Sequence, residues 1–172
     1  MNKILICAVT LCAAALMSNT SSNDVKIKWL TWEEAVKLNE ESPRKIFVDV
    51  FTDWCGWCKR MDATTFQDPE VVRYMNDHFY AVKLDAETRD EIKFRNQEFK
   101  YVEAGKGGVH TLAYSLLEGK MSYPSFVTLS ESYDRIAVSP GFKQKEQMLK
   151  ELKFAAEEQY KEVSWKEFSG ED

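Results

Sequence analysis

The chain has 172 residues, 44% of them hydrophobic and 13% aromatic, and a formal net charge of -5. This is the composition of a packed globular protein, not a disordered one, and it suits one domain of about 150 residues with a full-sized core. The charge is modestly acidic with no basic block, which argues against nucleic acid as a partner.

The chain opens on a segment that reads as removable. Met1-Asn2-Lys3 supplies a short positive start, Ile4 to Leu16 is uncharged and mostly apolar, and Ser18 to Asn23 is small and polar. That is the pattern of a secretory signal peptide, and its apolar stretch is too short to span a bilayer. A signal peptide over 1–18 is expected, which implies a periplasmic or otherwise extracytoplasmic protein. Ala13-Ala14-Ala15 fits a small-residue cleavage rule, and sites nearer Thr20 or Ser22 stay open. Bulky Ile6 and Leu11 precede Cys7 and Cys12, which argues against a lipid anchor. No later apolar stretch is long enough for a membrane span.

The remaining elements alternate. Thr31-Trp32-Glu33-Glu34 is a capping box, opening a helix with Trp32, Ala35 and Val36 on one face that ends before Pro43. Lys45 to Phe51 is a continuous apolar strand of the kind buried on both faces. A helix starts near Cys55 and runs past Met61. Another follows with Asp68 as N-cap, Pro69 in the first turn and Val71, Val72 and Met75 inward. Tyr80 to Leu84 is the next strand. Ile92 to Arg95 and Phe99 to Val102 alternate around Asn96-Gln97-Glu98, which predicts one β-hairpin within an insertion over 87–108. Gly105 to Gly108 lacks the ending of a phosphate-binding loop and reads as loop chemistry. A helix is expected from about His110 to Leu117. Ser125 to Leu129 and Arg135 to Val138 then form an antiparallel hairpin, and Gly141 leads into a helix with Met148, Leu149, Leu152 and Ala156 on one face. The domain is expected over 25–160, with a tail over 161–172.

The chemistry concentrates at Asp49 to Lys59. An apolar strand with one acid inside it, Asp49, is followed by Trp54-Cys55-Gly56-Trp57-Cys58-Lys59. Two thiols three residues apart at a helix start pass between dithiol and disulfide with little backbone movement. The unpaired N–H groups there favour the thiolate. Without Cys7 and Cys12, this pair holds the remaining two of the four cysteines. A bridge closing so short a loop constrains the unfolded chain little, so a structural staple is an unconvincing use of it. His78 and His110 invite a zinc site with the cysteines, but their spacings fit none of the usual patterns.

The segment resembles the thioredoxin superfamily through Asp49, Trp54, Cys55, Gly56, Cys58 and Lys59. The element order is similar too, and the insertion is similar to one in a group of secreted bacterial thioredoxin-like proteins. The resemblance implies an α/β fold, a central mixed sheet flanked by helices. It further implies a thiol–disulfide oxidoreductase acting on protein substrates, with Cys55 as nucleophile and Cys58 as resolving thiol. Asp49 would move protons for Cys58; a partly exposed strand-end acid with no role is its other reading. Pro124 would be cis, leaving Tyr123 free to pair with an extended substrate. Trp54 would flank the cysteines as a rim, or pack in the core. Gly56 and Trp57 would complete the substrate-facing surface, Trp57 departing from a proline common in the family. Trp29, Trp32 and Trp165 read as packing. The redox-active disulfide would be the sole cofactor, and the chain a monomer. Reduction is the favoured direction and requires a membrane-embedded electron donor. An oxidase, an isomerase or a non-catalytic binding module are the alternatives.

Overall fold

The structure, a computed structural model, describes residues 25–105 and 107–170. The expected signal peptide, with Cys7 and Cys12, lies outside the described residues. In chain order come β1 (Trp29–Leu30), α1 (Trp32–Glu41), β2 (Lys45–Phe51), α2 (Gly56–Ala63), α3 (Pro69–His78) and β3 (Phe79–Asp85). Four short strands follow: β4 (Ile92–Phe94), β5 (Gln97–Phe99), β6 (Tyr101–Ala104) and β7 (Gly107–His110). The chain closes with α4 (Thr111–Leu116), β8 (Ser125–Leu129), β9 (Arg135–Pro140), α5 (Lys145–Ala156) and α6 (Trp165–Ser169).

Five strands form a mixed sheet in the order β1-β3-β2-β8-β9. β1 and β2 run parallel to β3, while β8 is antiparallel to both β2 and β9. β2 therefore lies in the middle, and its run of apolar residues is buried as expected. Because side chains alternate across a strand, β2 serves both faces of the sheet. Ile46, Val48 and Val50 join Val82 and Leu84 under α1 and α4, with Trp32, Leu112 and Leu116. Phe47 points the other way, toward Met61 of α2, Val71, Val72 and Met75 of α3, and Met148 and Leu152 of α5. Asp49 has the same parity as Phe47, and Lys83 the same parity as Phe79 and Ala81. Both charges therefore lie on the face that α2 covers.

The helix starts follow local chemistry. Thr31 caps α1 reciprocally with Glu34, and Asp68 accepts from the N–H groups of Glu70 and Val71 ahead of Pro69. Caps of this kind contribute about 1 kcal/mol each.

The insertion departs from the single predicted hairpin. β4 and β5 make one hairpin through a tight turn at Arg95 and Asn96, whose φ angles are 49° and 63°. β6 and β7 make a second. Two residues with positive φ are what a two-residue turn of this type requires, and Asn tolerates the left-handed region well. Gly107 and Gly108, expected in a loop, belong to β7. A Cβ on Gly108 would come 2.4 Å from the Tyr101 ring, so only glycine fits that crossing. The first hairpin packs against the core, with Phe94 edge-on to Trp32 at 5.3 Å and the Arg95 guanidinium donating to the Ser132 carbonyl. The segment expected as a tail instead holds α6, whose Trp165 and Phe168 lie against Phe154.

Candidate active site

The strand-to-helix turn after β2 places the cysteines. The Cys55 N–H donates to the Thr52 carbonyl at 3.1 Å, closing the turn, and Cys55 becomes the N-cap of α2. Its Sγ is bonded to Cys58 Sγ at 2.08 Å and accepts from the Cys58 N–H at 3.0 Å. A sulfur held there by a backbone donor, at the positive end of a helix, is stabilised as a thiolate once reduced. Cys55, at the helix start as expected, is almost fully buried in this oxidised form, as is Cys58. The tryptophans beside them stand out into solvent: Trp54 is 66% exposed and Trp57 55%. Gly56 opens α2, and apart from its chain neighbours and the backbone of α2 itself no atom lies within 4 Å of where a Cβ would sit.

Two aromatic contacts border the pair. Trp54 meets Tyr123 edge-on with ring centroids 5.8 Å apart. Tyr123 precedes Pro124 in a cis peptide bond, so this contact joins the residue before Cys55 to the residue before the cis-proline. On the other side Trp57 rests on Phe142 at 5.4 Å, with the Arg60 guanidinium over its ring. Burial, with the charges of Glu87 and Asp85 nearby, pushes the Tyr123 phenol up to about 12.

Asp49 is 1% exposed and lies on the α2 face, on the strand that feeds directly into Cys55. The reading of it as a partly exposed strand-end residue is therefore ruled out. Burial pushes its carboxyl up to about 6, against the opposing pull of Lys83 and with a further push from Asp62. Lys83 Nζ sits 2.7 Å from Asp49 Oδ2, a close charge contact. Neither oxygen of the carboxylate has a well-aligned hydrogen-bond donor.

Three residues of the site went unseen in the sequence. Lys83 pairs with Asp49 in the β2–β3 register, and its signal was a lone cation in an apolar strand. Asp62 binds the same ammonium from α2. Glu87 holds the Trp54 indole N–H, with both carboxylate oxygens 3.1 Å from Nε1. Neither acid carried a signal, since each contact depends on the tertiary fold. The histidines are engaged elsewhere: His110 is buried, caps α4 and reaches the Asp90 carbonyl, while His78 lies against Tyr74. No group of three metal-binding side chains is present among the described residues.

A Cys-x-x-Cys disulfide capping a helix on this sheet, with the residue before Cys55 against the residue before a cis-proline, defines a protein of the thioredoxin fold and supports the thiol–disulfide oxidoreductase class. The chain belongs to the Thioredox_DsbH family, described as a protein of unknown function, DUF255, which matches residues 13–168. Among solved structures it is similar to a DsbH oxidoreductase, at 15% identity and a TM-score of 0.57, over 82% of this chain and 92% of that one. A putative disulphide-isomerase from Bacteroides thetaiotaomicron is 28% identical with a TM-score of 0.53, over 77% of this chain and 93% of that one. Human spermatogenesis-associated protein 20 is 29% identical over 83 residues, 48% of this chain and 11% of that protein. An uncharacterised protein of Caenorhabditis elegans, B0495.5, is 30% identical over the same length, also 11% of that protein. The chain thus spans about a tenth of those two curated relatives. Among the described residues no helix is long and apolar enough to cross a membrane.

Proposed function

We propose that the protein is an extracytoplasmic reductase of protein disulfides, working through Cys55 and Cys58. The observation that carries this is the disulfide at the N-terminus of α2 over a buried carboxylate, Asp49, on the same face of the sheet. In the reduced protein the Cys55 thiolate attacks a substrate disulfide, forming a mixed disulfide and releasing one substrate thiolate. Asp49 takes the proton of Cys58, whose sulfur then attacks Cys55 Sγ. The second substrate thiolate leaves and the Cys55–Cys58 bond closes. Two electrons have passed to the substrate, and each leaving thiolate takes up a proton. A dithiol donor, expected in the membrane, returns the pair to its reduced form. The pair itself carries the electrons, so no further cofactor is needed.

Protein substrates are favoured by the shape of the rim. Exposed Trp54 and Trp57 offer apolar area next to the pair, and the backbone of Tyr123, ahead of Pro124 and outside the paired strand β8, would be free for an extended segment. The extracytoplasmic location rests on the signal-like pattern over 1–18. The reductive direction follows the resemblance around Asp49, Cys55 and Cys58.

Expression of Cys58→Ser in the host should leave protein substrates trapped on Cys55, because no resolving thiol remains. Trapping by Cys55→Ser instead would reverse the two roles, and trapping by neither would favour a binding module. Equilibration with a thiol buffer tests the direction: a potential below about -200 mV fits a reductase, while one near about -120 mV would mark an oxidase.

A further inference from the structure

Lys83 is shared. Its ammonium lies against the carboxylate of Asp49 on one side and that of Asp62 on the other. The three groups run outward from the core, with side-chain exposures of 1% for Asp49, 21% for Lys83 and 45% for Asp62. The lysine is held in place from below, its Nζ lying 5.1 Å from the Trp29 ring centre, 4.9 Å from that of Phe51 and 5.7 Å from that of Phe66. Asp62 stands four residues after Cys58 on α2, so the two project from the same side of the helix, one turn apart.

We infer that Asp62 is a positioning residue for the disulfide chemistry: it divides the Lys83 ammonium with Asp49 and so limits how far the lysine neutralises the buried carboxylate. This deepens the role proposed above for Asp49 and rests on it. A lysine given wholly to Asp49 would hold that group as a carboxylate and make it a poor acceptor for the Cys58 proton. A second acid on the same ammonium weakens that hold, and its own negative charge opposes ionisation of Asp49. The charged groups bearing on Asp49 are Lys83 from β3 and Asp62 from α2, while β8 presents Phe126 at its register. An ordinary half-exposed ion pair would contribute little to stability. The geometry here instead couples Asp62 to a carboxylate in the core.

The test is Asp62→Asn, read in two ways. The Asp49 carboxyl carbon is titrated by NMR in the oxidised protein, and release of a mixed disulfide is timed in a single turnover from about pH 5 to about pH 9. The Asp49 midpoint should fall by about half a pH unit, and the acid limb of the release rate should move down with it. Asp62→Glu, which keeps the charge, should restore both. Asp62→Ala, a good helix former at a half-exposed position, should repeat the Asn result in a folded protein. A midpoint that stays or rises in the Asn and Ala variants overturns the proposal, as does a Glu variant that behaves like Asn. The NMR titration needs no turnover, so absence of reductase activity would sink the proposed function without touching this result.

Discussion

The two faces of the central sheet do different work, although the same strands serve both. Toward α1 and α4, β2 and β3 present Ile46, Val48, Val50, Val82 and Leu84, and the first inserted hairpin closes over that side through Phe94. Toward α2, the alternate residues include an acid and a base side by side, Asp49 and Lys83. Burying a charge costs free energy that apolar packing must offset elsewhere. One face thus supplies the stability that the other gives up to hold a protonatable carboxylate under the cysteines.

The comparison breaks most sharply at the cysteines. Cys55→Ser should lower exchange with protein disulfides by about a thousandfold or more, since the remaining thiol, Cys58, lies inside α2 and lacks the helix-start position of Cys55. The fold should survive, because a bridge across so short a loop constrains the unfolded chain little. Stopped-flow turnover and thermal unfolding together check this; unfolding of the variant at ambient temperature would show the pair to be structural after all.

On the opposite face the effects should invert. Trp32→Ala removes a buried indole that meets Phe94 and Tyr133, and should destabilise the protein by about 3–5 kcal/mol. The pH profile of exchange by the remaining folded protein should stay where it was. Denaturant titration measures the first part. A moved pH profile would mean that the two faces are coupled through the strands.

Asp49→Asn tests the cost of the chemical face directly. The folded-state value of about 6 lies above the ordinary 3.8, so the native chain binds this proton more tightly than the unfolded one. Stability therefore falls as pH rises from 3.8 to about 6, and the full penalty applies above that range. Replacing the carboxylate should stabilise the oxidised protein by about 3 kcal/mol at neutral pH and by nothing below about pH 4. It should also slow release of the mixed disulfide while sparing the first attack by Cys55. Equal stability of the two proteins at all pH values would mean that Lys83 already compensates the buried charge.

How much of this was legible depended on whether a feature is local. The cysteine pair, the acid inside an apolar strand and the proline ahead of β8 all announce themselves within a few residues. Lys83 shows only as a cation in an apolar strand and Asp62 not at all, because their meeting requires the β2–β3 register and the placement of α2 over it. The insertion misled for a related reason: Ile92 to Val102 alternates as one hairpin would. The positive φ at Arg95 and Asn96 and the close approach of Gly108 to Tyr101 split it into two. The first of these hairpins packs on the apolar face, which accounts for its aromatic residues without substrate recognition.

The root of that insertion still reaches the site, and the smallest predicted effect lies there. Glu87 accepts the Trp54 indole N–H, and its backbone N–H donates to Asp85 Oδ1 at 2.9 Å, which ties down the main chain that carries it. Glu87→Gln keeps one oxygen for the indole but removes the charge. Trp54 should remain against Tyr123, with binding of protein substrates weakened only about two- to threefold, the range expected for one half-exposed polar contact. Reduction of a small disulfide reagent should not change, because such a reagent reaches Cys55 without crossing the aromatic rim. The Tyr123 phenol offers an independent readout: burial leads its rise to about 12, and Glu87 is the first of the two charges adding to it. Its ultraviolet titration should therefore move down in the Gln variant. A phenol that does not move would place the Glu87 charge away from the rim. Equal loss with the reagent and the protein substrate would make Glu87 a support of the disulfide itself and not of the surface that meets the substrate.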